Sequence, residues 1–286
     1  MVPELVLGTA QFEASYGIAR RAEGDVEACQ LLEEASNLGV TSLDTAPTYG
    51  KAQEMIGSCG WRGAIHTKIP GDKEALNSLR DSLVNLRRER VDVSYFHNPD
   101  ILNLAEDYFK NTHAAIVPRV TDHLGVSIYT PEEFNAALDN PFITVIQAPI
   151  NIVDQRISDE QLERAAFRRK RVFARSIFLQ GVLLQDSWAL PDFLSAANAT
   201  LQQLESISSE TGLNRMEIVV QAVLARPGIS GIVVGAETTE QLREIASAFN
   251  APPLSPDLEE RIPSLKTQAL DIIDPRRWPK GRIRKE

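Results

Sequence analysis

Cysteine is scarce in this chain. Only Cys29 and Cys59 occur, and their spacing matches neither a disulfide framework nor a zinc-binding motif. We therefore predict no disulfide bond and a reducing compartment, with the cytoplasm as the expected location. The start of the chain, residues 1–8, lacks both a basic segment and a continuous apolar stretch, so no signal peptide is expected. No apolar run is long enough to span a bilayer, so we expect no membrane partner.

Positive charge is also in deficit. The 30 Lys and Arg residues are outnumbered by 39 Asp and Glu residues, which gives a formal net charge of -9. A negative surface repels nucleic acids and anionic membranes, so neither is expected as a partner. Basic residues concentrate only near the end of the chain, as Arg276, Arg277, Lys280, Arg282, Arg284 and Lys285.

The glycine-rich G-x-G-x-x-G fingerprint is missing after the first predicted strand, where the sequence reads Gly8-Thr9-Ala10-Gln11-Phe12. Its absence disfavours an open doubly wound sheet. Short apolar runs instead alternate with amphipathic helical patterns, which predicts an α/β fold of the (β/α)8 TIM-barrel type. Alternatively, the first run is a lead-in hairpin strand that precedes the barrel. The sequence therefore does not decide which of the apolar runs is the first of the eight barrel strands. The predicted strands are Leu5–Gly8, Thr41–Asp44, Ala64–Lys68, Val91–His97, Leu124–Ser127, Thr144–Ala148, Val172–Arg175 and Gly231–Val234.

Helix-start signals follow several of these strands, and no linker or low-complexity segment interrupts the pattern. We predict a single domain, with the barrel over residues 5–250 and a Pro-rich C-terminal extension over residues 251–286. Such an extension can reach over the mouth of a barrel. The predicted helices are Val26–Leu38, those opening at Thr130, Ser158, Asn214 and Thr238, and those near Phe193–Glu210 and Pro256–Leu270.

Four polar residues lie at or just beyond the ends of three consecutive predicted strands. Asp44, Lys68 and His97 each end an apolar run, and Tyr49 follows Asp44 after a short turn. The carboxyl ends of barrel strands converge on the face that carries active sites, so the four side chains are expected to meet there.

These side-chain types suit the reduction of a carbonyl group. A phenol has a pKa of about 10, and a neighbouring ammonium stabilises its ionised form, so Tyr49 next to Lys68 can serve as a general acid. Asp44 would keep Lys68 charged, and His97 would orient the substrate oxygen. The hydride has to come from a nicotinamide, since no side chain can donate one.

Each residue alone has a plainer interpretation, as a turn or cap residue, a surface aromatic, a solvated strand end or a structural histidine. Their joint placement at strand ends favours the catalytic interpretation. The remaining histidines, His66, His113 and His123, lack metal-ligand spacing, so we predict no metal site.

The order and contexts of these residues resemble the aldo-keto reductase superfamily. The run of residues 44–50, DTAPTYG, is similar to the family's DTAxxYG box, and residues 96–100, FHNPD, are similar to its HxPD turn. The resemblance continues in residues 125–127, in Gln147 with Asn151, and in residues 233–236. It implies a barrel that interconverts a carbonyl, such as an aldehyde, a ketone or a sugar, and an alcohol, with NADP as cofactor.

The resemblance also implies which residues bind the nicotinamide cofactor. Ser127 and Gln147 would hold the carboxamide. The loop that carries Ser176, Phe178, Leu179 and Gly181 would surround the pyrophosphate. The adenosine phosphate end would lie at Gly235, Ala236, Thr238, Thr239 and Gln241, beside a helix N-terminus.

Two positions depart from the family pattern. Arg175 stands where many relatives place an aromatic ring beneath the nicotinamide. It could stack on that ring, bind a carboxylate or phosphate of an anionic substrate, or form an ion pair at the rim. Glu237 and Gln241 stand where relatives that prefer NADP often have a basic residue, and the nearest base is Arg243. NADP is the expected cofactor, with NAD as the alternative.

Two other functions remain open at this stage. Some barrels of this family are regulatory subunits that bind the cofactor within a larger assembly, with little turnover. A lyase or isomerase barrel that handles phosphates without nicotinamide is disfavoured by Ser127 and Gln147. The sequence indicates neither the substrate nor the oligomeric state.

Overall fold

The computed structural model describes residues 2–12, 28–71 and 75–279. Eight parallel strands close into a barrel in chain order, which confirms the predicted (β/α)8 fold. The first strand pairs with both the second and the eighth, so the lead-in hairpin alternative is wrong. The strands are β1 Glu4–Gly8, β2 Ser42–Asp44, β3 Ala64–Ile69, β4 Val91–Phe96, β5 Thr121–Ser127, β6 Val145–Pro149, β7 Arg171–Arg175 and β8 Ile229–Gly235.

The helices surround the barrel, and several begin where the sequence predicted. Capping boxes open the helices after Thr130, Ser158 and Asn214, where each cap side chain accepts a backbone N–H three residues on. Val26, at the predicted start of the first helix, lies outside the described residues. The helices are α1 Ala28–Asn37, α2 Ala52–Cys59, α3 Ala75–Leu86, α4 Glu106–Ile116, α5 Pro131–Asp139, α6 Asp159–Phe167, α7 Asn198–Thr211, α8 Arg215–Leu224, α9 Thr239–Phe249, α10 Pro256–Arg261 and α11 Leu270–Ile273.

The continuous helix predicted near Pro256–Leu270 is wrong. After α10 the chain forms a 3-10 turn, Ile262–Leu265, and regains an α-helix only at α11. Pro263 explains the break, since proline cannot supply the N–H that a continuing α-helix needs. The helix predicted from Phe193 likewise begins as a 3-10 segment before α7.

The C-terminal segment packs on the loops that follow β7. Trp278 belongs to an apolar cluster with Leu179, Val182 and Leu194, and its indole N–H donates to the Ile272 carbonyl at 3.2 Å. This packing positions residues 274–276 beside the barrel mouth, where Arg276 contacts Tyr129. Of the basic tail, Lys280, Arg282, Arg284 and Lys285 lie outside the described residues. In the part of the chain that is described, no helix is long and apolar enough to cross a bilayer.

The barrel interior is a small apolar cluster of Val6, Val93, Tyr95, Val145 and Phe173. His66 packs edge-on against two of these rings, with centroid distances of 6.0 Å to Tyr95 and 5.1 Å to Phe173. Burial lowers the pKa of His66 from 6.5 to about 3, although Asp44 opposes the shift. The side chain is therefore a neutral part of the core.

We expect this histidine to make stability depend on pH. Between pH 6.5 and 3 the unfolded chain takes up a proton on His66 that the folded chain does not. The contribution of neutral His66 to the free energy of unfolding is therefore fully present above pH 6.5. It is lost as the pH falls, by at most about 1.4 kcal/mol per pH unit. Urea unfolding of wild type and His66→Leu between pH 6.5 and 3 should give a shallower pH slope for the variant. Equal slopes in both proteins would contradict the assignment.

The prediction of two free cysteines is wrong. Cys29 at the start of α1 and Cys59 at the end of α2 form a disulfide bond, with their Cα atoms 5.1 Å apart. Packing between the two helices brings the residues together across 30 positions of sequence. Two cysteines 30 positions apart form no recognisable disulfide motif, so nothing in the sequence indicated that they pair.

Reduction of this bond should destabilise the fold measurably. Reduction opens a loop of 30 residues and so increases the conformational entropy of the unfolded chain. This should lower the free energy of unfolding by about 3–4 kcal/mol. We expect a lower urea midpoint for Cys29→Ser/Cys59→Ser than for the oxidised wild type. A thiol titration of the native protein that finds two free thiols would contradict the bond.

Candidate active site

Three strand ends bring the predicted catalytic side chains together at one cavity. Asp44 ends β2, Lys68 lies near the end of β3, and both side chains are buried. The third strand end is that of β4, which His97 directly follows. Lys68 Nζ donates to Asp44 Oδ1 at 2.5 Å and to the Thr45 carbonyl at 3.3 Å. The same ammonium lies 4.9 Å from the centroid of the Tyr49 ring. The arrangement holds a buried cation beside a partly buried phenol.

The Asp44 carboxylate has a second partner that the sequence did not indicate. Gln147 Nε2 on β6 donates to Asp44 Oδ2 at 2.8 Å, so the two oxygens face different donors. The resemblance implied that Gln147 binds a cofactor carboxamide. In the structure it also fixes the orientation of Asp44, and its role towards a cofactor stays a prediction.

Electrostatics sets the charge of Lys68 and His97. Burial lowers the pKa of Lys68, but Asp44 and then Tyr49 raise it, and the net direction is upward. Burial and the nearby Lys68 lower the pKa of His97, with Asp44 opposing them. Near neutral pH the site therefore contains an ammonium and a neutral imidazole, which can donate one hydrogen bond.

A cavity of about 840 Å³ extends from these side chains across the mouth of the barrel. Besides β-strand ends it is bounded by the loop after β7 and by the starts of α8 and α9. Most of the predicted site residues line it, namely Asp44, Tyr49, Lys68, His97, Ser127, Gln147, Arg175, Ser176, Phe178, Gly181, Gly235 and Gln241.

Four residues implied by the resemblance do not line this cavity. Leu179 and Ala236 are fully buried in the apolar packing. Thr238 is the N-cap of α9 and accepts the Gln241 N–H at 3.1 Å, while Thr239 donates to the Glu240 carboxylate.

The loop after β7 has an unusual backbone. Ser176, Leu179 and Gln180 have positive φ angles of 55°, 48° and 54°, and Gly181 follows at 91°. L-residues rarely adopt this region, so packing has to hold the loop in place. Burial of Leu179 and a hydrogen bond from Asn151 Nδ2 to the Ser176 carbonyl, at 3.1 Å, provide that restraint. Asn151 thus has a structural role.

Arg175 does not form the rim ion pair that the sequence allowed. Its guanidinium donates to the Ile128 carbonyl at 3.0 Å and lies 4.4 Å from the centroid of the Tyr129 ring. No carboxylate among the described residues pairs with it. Arg243, the base nearest to the α9 start, is instead held by Glu34 at 2.7 Å and by Glu240.

Sequence reasoning missed some residues at the mouth of the barrel. Tyr129 comes two residues after the end of β5, a position that a strand-end search could have included. Arg215 and Met216 open α8 and line the cavity because α8 packs beside β8. Nothing in the local sequence connects Arg276 with Tyr129, since only the path of the C-terminal segment brings them together.

Residues 4–266 match the Aldo/keto reductase family. The chain belongs to this family. It is 28% identical to "Oxidoreductase YdhF" of Escherichia coli (strain K12) over 268 residues, which cover 81% of this chain and 86% of that protein. It is 25% identical to "Probable voltage-gated potassium channel subunit beta" of rice, Oryza sativa subsp. japonica, over 282 residues, 82% of this chain and 86% of that protein.

Among solved structures the chain is similar to the holo form of aldo-keto reductase AKR11C1 from Bacillus halodurans. The TM-score is 0.75 at 20% identity, with 96% of this chain and 95% of that chain covered. This likeness establishes the barrel fold. Membership of the aldo/keto reductase family supports an oxidoreductase of carbonyl and alcohol groups that uses a nicotinamide cofactor.

Proposed function

We propose that this aldo/keto reductase is an NADP-dependent enzyme that interconverts an aldehyde, ketone or sugar carbonyl and the corresponding alcohol, with Tyr49 as general acid. The observation that carries the proposal is the buried Lys68–Asp44 pair beside the Tyr49 ring at the cavity wall.

Each of the four side chains has a distinct task in the proposed reaction. Tyr49 gives its proton to the carbonyl oxygen, and the Lys68 ammonium stabilises the negative charge that the phenol oxygen then carries. Asp44 keeps Lys68 charged in a buried site, and the hydrogen bond from Gln147 fixes the orientation of the Asp44 carboxylate. The neutral His97 donates a hydrogen bond that orients the substrate oxygen. A bound nicotinamide would supply the hydride.

The residues of the cavity fit such a cofactor. Its volume of about 840 Å³ lies within the range of about 300–1,000 Å³ typical of ligand sites. Ser127 and Gln147 would hold the carboxamide, and the Ser176–Gly181 loop the pyrophosphate. At Gly235 a Cβ atom would lie 1.8 Å from the amide nitrogen of Gln11, so a larger residue there would require the Gln11 side chain to move.

The choice between NADP and NAD depends on a cation near the starts of α8 and α9. Both Arg243 and Arg215 pair with carboxylates, Arg243 with Glu34 and Glu240, and Arg215 with Asp186 at 2.7 Å and Glu205 at 3.6 Å. Their positions differ, because Arg215 lines the cavity and Arg243 does not. We therefore assign to Arg215 the contact with a 2′-phosphate. Arg215→Ala should weaken NADPH binding and leave NADH binding in place. Equal affinity of the wild type for both would show that the 2′-phosphate adds no binding free energy, and tighter binding of NADH would favour NAD.

A fluorescence titration with NADPH and NADH, followed by turnover of a panel of aldehydes, ketones and sugars, tests the whole proposal. Binding of a cofactor and turnover of at least one carbonyl are expected. Failure to bind either cofactor would contradict it.

A second candidate is a nicotinamide-binding regulatory subunit, which the name of the rice relative favours. This candidate predicts cofactor binding with negligible turnover of every carbonyl in the panel. The complete set of Asp44, Tyr49, Lys68 and His97 favours the enzyme.

The Cys29–Cys59 bond removes the argument for the cytoplasm that rested on two free cysteines, so that location stays a prediction.

A further inference from the structure

Two guanidinium groups from distant parts of the chain contact one aromatic ring. The Arg175 Cζ atom lies 4.4 Å, and the Arg276 Cζ atom 3.7 Å, from the centroid of the Tyr129 ring. One comes from the end of β7 and the other from the C-terminal segment. Two cations at one ring repel each other, so the arrangement calls for negative charge nearby.

The carboxylates of the region compensate for only part of this charge. Asp274 accepts two hydrogen bonds from Arg276, at 2.8 and 2.7 Å, and the buried Asp154 accepts two from Arg156, at 2.7 and 2.8 Å. In both arginines the bonds use Nε and Nη2, which leaves further N–H groups for another acceptor. Arg175 has a backbone carbonyl and the Ser176 hydroxyl as partners and no carboxylate among the described residues.

Two other acids lie near this cluster, the exposed Glu132, which interacts with Arg156, and Glu133, which interacts with Arg276. The Glu133 carboxylate accepts the backbone N–H groups of Tyr129 and Thr130, at 2.6 and 3.0 Å, and so caps α5. It does not line either cavity that borders Tyr129. Arg175 lines both cavities and has no carboxylate in contact within the part of the chain that the structure describes.

A side cavity of about 180 Å³ is built around these groups. Arg156, Arg175 and Arg276 all line it, with Tyr129 as one wall. One carboxylate, Asp274, also lines it and is held by two hydrogen bonds from Arg276, so three guanidinium groups face one acid. It shares Tyr129, Arg175, Ser176 and Gln180 with the main cavity, so the two adjoin at these residues. At about 30 Å³ per water, the side cavity has room for a carboxylate or a phosphate group.

We propose that Arg175, Arg276 and Arg156 form a subsite for an anionic group on the substrate, so that this aldo/keto reductase prefers carbonyl compounds carrying a carboxylate or a phosphate. Planar guanidinium groups bind both anions through paired hydrogen bonds. The adjoining cavities allow one molecule to place its anion at the arginines and its carbonyl towards Tyr49. As a statement about substrates the inference rests on the proposed function, whereas anion binding itself does not.

Matched pairs of substrates test the preference in the cofactor-loaded enzyme. We expect kcat/KM to be at least about tenfold higher for para-carboxybenzaldehyde than for its methyl ester, the effect of one charge-assisted hydrogen bond. Glyceraldehyde phosphate compared with glyceraldehyde distinguishes a phosphate site from a carboxylate site. Arg175→Gln and Arg276→Gln should each lower the ratio of anionic to neutral substrate about tenfold.

Arg277→Gln is the control, because Arg277 adjoins Arg276 and its side chain is as exposed, at 52% against 51%. It does not line the side cavity and should leave the ratio unchanged. Ratios that stay at the wild-type value in both Arg175→Gln and Arg276→Gln would overturn the proposal. So would an equal loss for charged and neutral substrates accompanied by weaker NADPH binding, since the arginines would then serve the cofactor.

Direct anion binding separates this proposal from the proposed reaction. Calorimetric titration of the protein with inorganic phosphate and with benzoate should show binding of at least one of them, which Arg175→Gln abolishes and Arg277→Gln retains. If no carbonyl is turned over but this binding is seen, the reaction is wrong and the anion site stands. If turnover is seen but neither anion binds to wild type, the anion site is wrong.

Discussion

Tyr49→Phe should lower turnover of the best carbonyl substrate about 100- to 10,000-fold and leave nicotinamide binding in place. The change removes only the hydroxyl that donates the proton and keeps the ring 4.9 Å from Lys68 Nζ. The expected loss corresponds to about 3–5 kcal/mol of transition-state stabilisation. Steady-state kinetics at saturating cofactor measure the turnover, and fluorescence titration measures cofactor affinity.

Tyr95→Phe is the matched control for this substitution. Tyr95 is fully buried in the barrel interior, and its hydroxyl has no hydrogen-bond partner among the described residues. Loss of that hydroxyl should leave turnover close to wild type. Near-wild-type turnover in Tyr49→Phe, or an equal loss in both variants, would show that Tyr49 is not the acid.

Breaking the Lys68–Asp44 pair should cost both stability and activity. Lys68→Met leaves a buried carboxylate without its cation, and such a loss destabilises proteins by about 3–5 kcal/mol. Asp44→Asn leaves the ammonium without its counter-charge. Because the two act as one unit, we expect the double variant to lose less than the sum of the single losses, in urea unfolding and in kcat/KM.

The pH profile of Asp44→Asn should shift in a direction that the structure fixes. Asp44 is the strongest influence that raises the pKa of Lys68, so without it burial dominates and the pKa falls. In wild type the raised pKa contributes stability below pH 10.5, and that contribution is lost as the pH rises through the folded-state value. The alkaline fall of kcat/KM should therefore begin at a lower pH in Asp44→Asn.

The exposed pair Arg168–Asp139 provides a comparison for both readouts. Its side chains are 40% and 65% exposed, so Asp139→Asn should cost no more than about 1 kcal/mol and leave the pH profile alone. Fully additive losses for Asp44→Asn and Lys68→Met, or an unshifted profile, would show that the two residues do not form one functional unit.

The positions of Asp44, Lys68 and His97 could be predicted because each follows a local signal, an apolar run that ends in a polar residue. Closure of eight such runs into a barrel then brings the ends together without further information. The sequence could not exclude that the first apolar run is a lead-in hairpin strand, because the hydrophobic pattern alone does not specify which strand pairs with the last one to close the barrel.

Contacts that depend on packing between distant segments could not be predicted. The hydrogen bond from Gln147 to Asp44 spans 103 positions, and the contact of Arg276 with Tyr129 depends on the path of the C-terminal segment. The Cys29–Cys59 bond arises in the same way from the packing of α1 on α2. The resemblance that singled out Leu179 gave a residue type, but only the fold shows that this side chain points into the core.

Transfer of a labelled hydride tests the central proposal most directly. The enzyme is incubated with a carbonyl substrate and with NADPH that carries deuterium at the position that leaves as hydride, and the alcohol is analysed by mass spectrometry and NMR. We expect deuterium on the carbinol carbon with wild type and almost none with Tyr49→Phe over the same time. Alcohol that forms without deuterium on that carbon, or substrate that remains unchanged while both NADPH and NADH bind, would contradict direct hydride transfer by this protein.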